Sequence, residues 1–178
     1  EGGTVVRISS NPNFRAVPFH SPQSLYNEGG FDLITSDTKE KDELLASIGV
    51  NVNFAPVCDV STDPNDFING RAFGQDAAQT SEYVRTVVAQ MLSDNTGMVL
   101  KHFPGYGSNV DTHTGIAIDA RPIETFRSSD FLPFEAGIDA GAQSILVSHN
   151  IVQCMDGELP ASLSPAVHDI LRDELGFD

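Results

Sequence analysis

The segment Met98–His113 reads MVLKHFPGYGSNVDTH and holds a short apolar run, two cations, a Gly/Pro turn and an Asp-x-His pair. The apolar start predicts a buried strand. Lys101 and His102 then stand at the carboxyl end of that strand, and the Pro-Gly-Tyr-Gly sequence predicts a loop because it cannot continue the strand. Asp111 and His113 lie on this loop, where a carboxylate can set the pKa and tautomer of a neighbouring histidine. The segment offers charges that hold a substrate on a rigid edge and an acid/base group on a loop.

Outward from this segment, predicted helices and strands alternate. An apolar stripe in the second helix is formed by Tyr83, Val84, Val87, Val88, Met91 and Leu92. Residues before about Phe31 are rich in Pro and Gly and predict loops. The predicted helices are Leu33–Ile48, Ala77–Asn95, Ser129–Asp139 and Pro165–Leu175, and the predicted strands are Val50–Val57, Met98–Leu100 and Ser144–Ser148.

This alternation predicts an α/β fold made of parallel βαβ units. Polar, Gly-containing loops follow the predicted strands at residues 59–74, 104–113 and 149–160. Loops in this position form the active sites of (β/α)8 barrels. A doubly wound sheet predicts the same pattern, so periodicity alone leaves both folds open.

Composition limits the possible partners. The chain has 178 residues, of which 40% are apolar, enough for one domain with a sizeable core. Its net charge of -15 argues against nucleic acid and anionic membranes as partners, and favours a neutral or small substrate. The sequence has no apolar run of membrane-spanning length. Its two cysteines are too few for a disulfide scaffold.

Several blocks of the sequence resemble glycoside hydrolase family 3 β-N-acetylhexosaminidases. The blocks follow the family's order over nearly the whole chain, and their combination is more specific than any one of them. They are Glu1–Arg7, Asn53–Val60, Arg71–Asp76, Lys101–Gly105, Asp111–His113, Leu159–Ser164 and Leu171–Asp178.

The resemblance implies a (β/α)8 TIM-barrel-like catalytic domain, of which residues 1–178 would supply about three to four βα units. The rest of the barrel would come from the same chain or from another one. In the family the nucleophilic Asp lies on the strand after the Gly-Phe-Asp sequence, so we expect it beyond Asp178. Residues 1–178 alone are therefore expected to be inactive.

The resemblance also assigns roles to residues in this chain. Members of the subfamily cleave terminal β-linked N-acetylglucosamine with retention, and here His113, oriented by Asp111, would be the general acid/base. The substrate hydroxyls would be held by Arg7, Arg71, Lys101 and His102. No cofactor is implied, and a metal site is not expected because no zinc-type His-Glu-x-x-His spacing is present.

Two features of the loop between His102 and His113 affect its closure. It is about one residue shorter than is usual in the family, and Tyr106 occupies a position where His is usual. With two glycines and few apolar residues, Gly105–His113 is predicted to move until a substrate binds.

Other interpretations stay open at this point. A histidine acid/base would not repel phosphate, so a β-N-acetylglucosaminide phosphorylase is the nearest alternative. A β-glucosidase-like enzyme shares the Lys-His pair, and a catalytically inactive sugar-binding protein is the alternative from another class. His149, at the end of a predicted strand, is interpreted as structural and left outside the site.

Overall fold

The main strands run parallel and lie side by side in the order in which they occur in the chain. The computed structural model describes residues 2–112 and 115–178. Strand β1 (Val52–Asn53) pairs with β2 (Gly97–Met98), and β3 (Leu100–Phe103) pairs with β5 (Ile145–Val147). A parallel bridge between Val57 and Lys101 continues the first pairing. This arrangement confirms the predicted parallel βαβ units around three strands.

A second small sheet follows the loop of residues 104–113, the central loop. Strand β4 (Ile118–Asp119) pairs in parallel with β6 (Ile151–Val152). Neither strand was predicted, because two-residue strands are too short to show an alternating pattern. Their pairing holds the segment after the central loop beside the segment after β5.

The helices alternate with the strands along the chain. They are α1 (Pro22–Ser47), α2 (Ala77–Ser93), α3 (Ile123–Thr125), α4 (Phe131–Asp139) and α5 (Pro165–Asp169), with π-helical turns at Phe126–Asp130 and Ile170–Glu174 and a 3-10 turn at Ala161–Leu163. None of the helices in the described ranges combines the length and the apolar character needed to cross a membrane.

The core forms between α2, α4 and β3. Five of the six residues in the predicted α2 stripe are buried. The prediction is wrong for Leu92, which is 41% exposed because it lies at the end of the helix. From the strand, Phe103 stacks on Phe131 with ring centroids 5.6 Å apart and meets Phe134 edge-on at 5.2 Å. Such aromatic contacts add to the stabilisation from burial, and they fix β3, which carries Lys101 and His102.

The first helix begins earlier than predicted. Helix α1 starts at Pro22, after Ser21, whose hydroxyl accepts a hydrogen bond from the Ser24 N–H at 3.2 Å. A serine cap followed by proline is a strong start signal. Gly29 and Gly30 interrupt the helical backbone, and Gly30 has φ +62°. The two glycines thus kink a helix that resumes, and do not form the predicted loop.

Candidate functional site

A cavity of about 220 Å³ opens at the carboxyl ends of β3 and β5. This volume is below the roughly 300–1,000 Å³ of sites for drug-sized ligands, so the cavity suits a smaller molecule. Three of the four residues predicted to hold substrate line it together. Its lining consists of Arg71, Lys101, His102, Tyr106, Thr112, Leu146, Val147, Ser148 and His149.

Adjacent residues of a regular strand point to opposite faces, yet Lys101 and His102 both line this cavity. The pairing register between β3 and β5 shifts between Lys101 and Phe103, which marks a bulge. The strand is therefore irregular at the position where the two side chains share one cavity. Such an irregularity is needed for both side chains to contact one ligand.

Lys101 is a buried cation, with only 7% of its surface exposed. Burial, followed by the positive charge of Arg71, lowers the pKa of Lys101 to about 8, against the opposing effect of Asp59. The Nε atom of Arg71 is itself buried, and it has no hydrogen-bond partner among the described residues. Two cations thus face one small cavity, whose described lining contains no carboxylate.

His102 is oriented by Asp59, a carboxylate that is 1% exposed. The Nδ1 atom of His102 lies 2.8 Å from Oδ2 of Asp59, and the His102 backbone N–H donates to the same oxygen at 3.3 Å. Because a carboxylate only accepts hydrogen bonds, this contact places a proton on Nδ1. The Nε2 atom is then left for a ligand in the cavity.

Tyr106 joins the central loop to this pair. Its backbone N–H donates to Oδ1 of Asp59 at 2.8 Å, and its ring meets His102 edge-on with centroids 5.8 Å apart. Its hydroxyl donates to Oγ1 of Thr112 at 3.1 Å and accepts from the Thr112 N–H at 2.8 Å. Tyr106 is 4% exposed, so the first half of the loop has an anchor that the sequence did not reveal.

The amino-terminal segment packs against the same cations. A side chain on Gly2 would meet Nζ of Lys101 at 2.8 Å, and one on Gly3 would overlap the Arg71 carbonyl. The glycines are therefore needed for this close approach. Arg7 is exposed and lies outside the described lining of the cavity, so its predicted role in holding substrate stays a prediction.

The predicted acid/base pair is only partly within the described region. Asp111 is half-buried on the loop, two residues after Asn109. His113 lies outside the described residues, so its pairing with Asp111 stays a prediction. Thr112, between the two, lines the cavity.

Three residues that the sequence analysis left out belong to the surroundings of the cavity. Asp59 orients His102, while Ser148 and His149 line the cavity directly. The Nδ1 atom of His149 lies 2.8 Å from Oγ of Ser162. Asp59 and His149 closely follow predicted apolar strands and Ser148 ends one, and this position was the available signal. Within residues 2–112 and 115–178, no three His, Cys, Asp or Glu side chains cluster closely enough to hold a metal ion.

Comparison with known proteins identifies a family. Residues 1–178 match the family described as the glycosyl hydrolase family 3 N-terminal domain. The chain is 34% identical over 181 residues to a beta-hexosaminidase of Xanthomonas campestris pv. campestris (strain B100), an alignment that covers 99% of this chain and 54% of that protein. The chain thus spans about half the length of this curated relative.

Solved structures show the same similarity. A family 3 glycosyl hydrolase from Mycobacterium smegmatis superposes with a TM-score of 0.88 at 31% identity, over 100% of this chain and 55% of that chain. A family 3 beta-N-acetylglucosaminidase from Paenibacillus sp. gives a TM-score of 0.83 at 26% identity, over 89% of this chain and 31% of that chain.

Proposed function

The chain belongs to glycoside hydrolase family 3, and from this membership and the cavity geometry we propose that it forms the sugar-binding part of a β-N-acetylglucosaminidase. The observation that carries the proposal is the convergence of Arg71, Lys101 and His102 on one cavity at the strand ends. Charged donors in a small, partly closed cavity suit the closely spaced hydroxyls of a terminal sugar. The choice of N-acetylglucosamine follows from the similarity to the Paenibacillus beta-N-acetylglucosaminidase.

The proposed reaction is retaining hydrolysis. A carboxylate attacks the anomeric carbon and forms a glycosyl-enzyme, while a proton is donated to the leaving oxygen, and water then releases the sugar. We assign proton donation to His113, oriented by Asp111, and assign the nucleophile to a residue beyond Asp178. Arg71, Lys101 and His102 hold the sugar so that its anomeric carbon faces these groups, and Asp59 keeps His102 in one tautomer.

The family's N-terminal domain is a TIM-barrel-like α/β fold, and we propose that residues 1–178 form one part of such a barrel. The remaining strands and helices come from the same chain or from another. Apolar residues on and beside the outer strands support this: Val52, Phe54 and Ile118 are 45%, 53% and 57% exposed. Further strands packed at these edges would bury them.

The test is made on a polypeptide that carries residues 1–178 together with the rest of the barrel. We expect it to hydrolyse 4-nitrophenyl β-N-acetylglucosaminide much faster than the matching β-glucoside, and we expect NMR to show the β-anomer of the product first. Preference for the glucoside would indicate a β-glucosidase-like enzyme. No turnover of either substrate, in a folded protein that binds N-acetylglucosamine, would indicate an inactive sugar-binding protein.

One observation favours a second candidate function. The described lining of the cavity has two cations, two histidines and no carboxylate, so it would also accept phosphate. In a phosphorylase, a phosphate oxygen would displace the enzyme carboxylate from the anomeric carbon and form a sugar 1-phosphate. Adding inorganic phosphate to the assay distinguishes the two reactions, because only a phosphorylase would convert the substrate into N-acetylglucosamine 1-phosphate.

A further inference from the structure

Behind the central loop lies a partly buried ion-pair cluster that the proposed reaction does not use directly. Arg121 donates from Nε and Nη2 to Asp119 at 3.0 and 2.8 Å, and from Nη1 to both oxygens of Asp130 at 3.0 and 3.1 Å. The carboxylates are almost fully buried, with side-chain exposures of 2% for Asp119 and 3% for Asp130. The guanidinium also lies over the Phe126 ring, 4.3 Å from its centroid. A planar guanidinium can make these contacts at once, whereas an ammonium cannot.

The cluster contacts the loop at two glycines. The carbonyl of Gly105 accepts a hydrogen bond from Nη2 of Arg121 at 3.4 Å. At Gly107, where φ is +57°, a Cβ atom would lie 2.6 Å from Cζ of Arg121, and at Gly105 a Cβ atom would overlap the Asp130 carboxylate. The two glycines therefore let the loop backbone lie directly on the Arg121–Asp130 pair.

A third contact ties the far side of the loop to the same cluster. The Nδ2 atom of Asn109 donates to Oδ2 of Asp119 and to the Tyr106 carbonyl, both at 2.8 Å. Asp119 thus bridges Arg121 and Asn109. The loop is fixed from Gly105 to Asn109, and Asp111 follows two residues later.

We propose that Arg121, through Asp119, Asp130 and Asn109, is a positioning residue that sets the base of the loop carrying the acid/base pair. It does not contact the substrate. Loss of the Arg121 contacts would slow proton donation. A shift at the base of the loop would carry Asp111 and the residues after it away from the leaving oxygen, and a misplacement of about 1 Å is enough to slow proton transfer. The inference rests on the proposed function, because the acid/base role of Asp111 and His113 is part of that proposal.

The main test compares Arg121→Lys with Arg127→Lys in the polypeptide that carries the whole barrel. Arg127 is the matched control because its ion pair with Glu174, at 2.6 Å, is more exposed than the Arg121 cluster and includes no residue of the loop. We expect Arg121→Lys to lower kcat/KM on diacetylchitobiose, whose leaving group needs the proton, by roughly 10- to 100-fold. On 2,4-dinitrophenyl β-N-acetylglucosaminide, which needs no proton, we expect a change of less than about threefold. Arg127→Lys should leave both rates unchanged.

A second variant and a second measurement guard against misfolding. Asn109→Ala removes the bridge to Asp119 but keeps the ion pairs, and we expect the same selective loss on the disaccharide. Amide hydrogen exchange of residues 104–111 should become faster in Arg121→Lys and in Asn109→Ala, but not in Arg127→Lys.

Equal losses on both substrates, or unchanged exchange in residues 104–111, would overturn the proposal. If the unsubstituted protein turns over neither substrate, the proposed function fails, and hydrogen exchange still decides whether Arg121 fixes the loop.

Discussion

The Nδ1 atom of His102 lies 2.8 Å from Oδ2 of Asp59, a residue 43 positions earlier in the chain. The contact joins the ends of two neighbouring parallel strands, and it gives His102 one tautomer and one orientation. The same carboxylate accepts the Tyr106 N–H through its other oxygen. Asp59 therefore links the residue that faces the cavity to the start of the central loop.

Asp59→Asn should weaken substrate binding. An amide NH₂ group facing Nδ1 would move the imidazole proton to Nε2, and the hydrogen bond to a charged group would be lost. Hydrogen bonds to charged groups contribute about 1.5–3 kcal/mol, so we expect KM to rise roughly 10- to 100-fold. Asp63→Asn is the control, because Asp63 is exposed on the same loop and its side chain accepts hydrogen bonds from Asn65. Unchanged ¹⁵N shifts of the His102 ring in Asp59→Asn would contradict the tautomer assignment.

Substrate affinity should fall above pH 8 through Lys101. Its pKa in the folded protein is lowered to about 8, so the cation proposed to donate to sugar hydroxyls is present below that pH and is lost above it. If only the cation binds substrate, KM should rise about fivefold between pH 8 and pH 9. Lys101→Arg keeps its charge over this range and should remove the rise. A KM profile with the same alkaline rise in Lys101→Arg would assign the titration to another group.

Asp42 should make the protein less stable as the pH rises. This carboxyl on α1 is 2% exposed, and neither oxygen has a hydrogen-bond partner among the described residues. Burial, followed by the charge of Asp94, raises the pKa of Asp42 from 3.8 to about 7. The folded protein therefore binds a proton that the unfolded chain has lost between about pH 4 and pH 7, and the stability from this proton decreases as the pH rises through that range.

Asp42→Asn removes the buried charge at similar volume. At pH 8 we expect it to increase the free energy of unfolding by on the order of 2–4 kcal/mol, and at pH 4 to change it little. Asp32→Asn, at an exposed position of α1, is the control. Melting temperatures at the two pH values measure both variants. A shift that is the same at pH 4 and pH 8 would show that Asp42 does not titrate as described.

His113→Ala should affect substrates according to their leaving groups. Because an acid catalyst contributes about 10²–10⁴-fold where the leaving group needs a proton, we expect a loss of that order on diacetylchitobiose. The loss should be small on the 2,4-dinitrophenyl glycoside. Steady-state rates on the two substrates measure the difference. Equal losses would remove His113 from the role of general acid.

Local signals in the sequence were sufficient to predict the structure where residues close together in the sequence determine it. Ser164 before Pro165 predicted the start of α5, and its hydroxyl does accept from the Val167 N–H at 3.3 Å. The same signal stands at Ser21 and Pro22, but Gly29 and Gly30 predict a loop over that segment. The alternation of helices and strands was visible because each buried face repeats along one element.

Contacts between distant segments could not be predicted in this way. Gly105 and Gly107 looked like turn residues, but their backbone lies against Arg121 and Asp130, which come more than a dozen residues later. The only sequence signal at Asp59 was its position after a predicted strand, and no neighbouring residue indicated that it would contact His102. These contacts exist only once the parallel strands bring their carboxyl ends together.

Direct binding of N-acetylglucosamine tests the central claim, that the cavity lined by Arg71, Lys101 and His102 holds the terminal sugar. Calorimetry on the polypeptide with the whole barrel would compare the unsubstituted protein with Lys101→Met and with Lys39→Met, a control at an exposed position of α1. We expect Lys101→Met, of similar length and without the charge, to weaken binding at least about tenfold, the loss of one hydrogen bond from a charged donor. Lys39→Met should bind as the unsubstituted protein does. Equal affinity in all three folded proteins would contradict the account, because the sugar would then bind elsewhere.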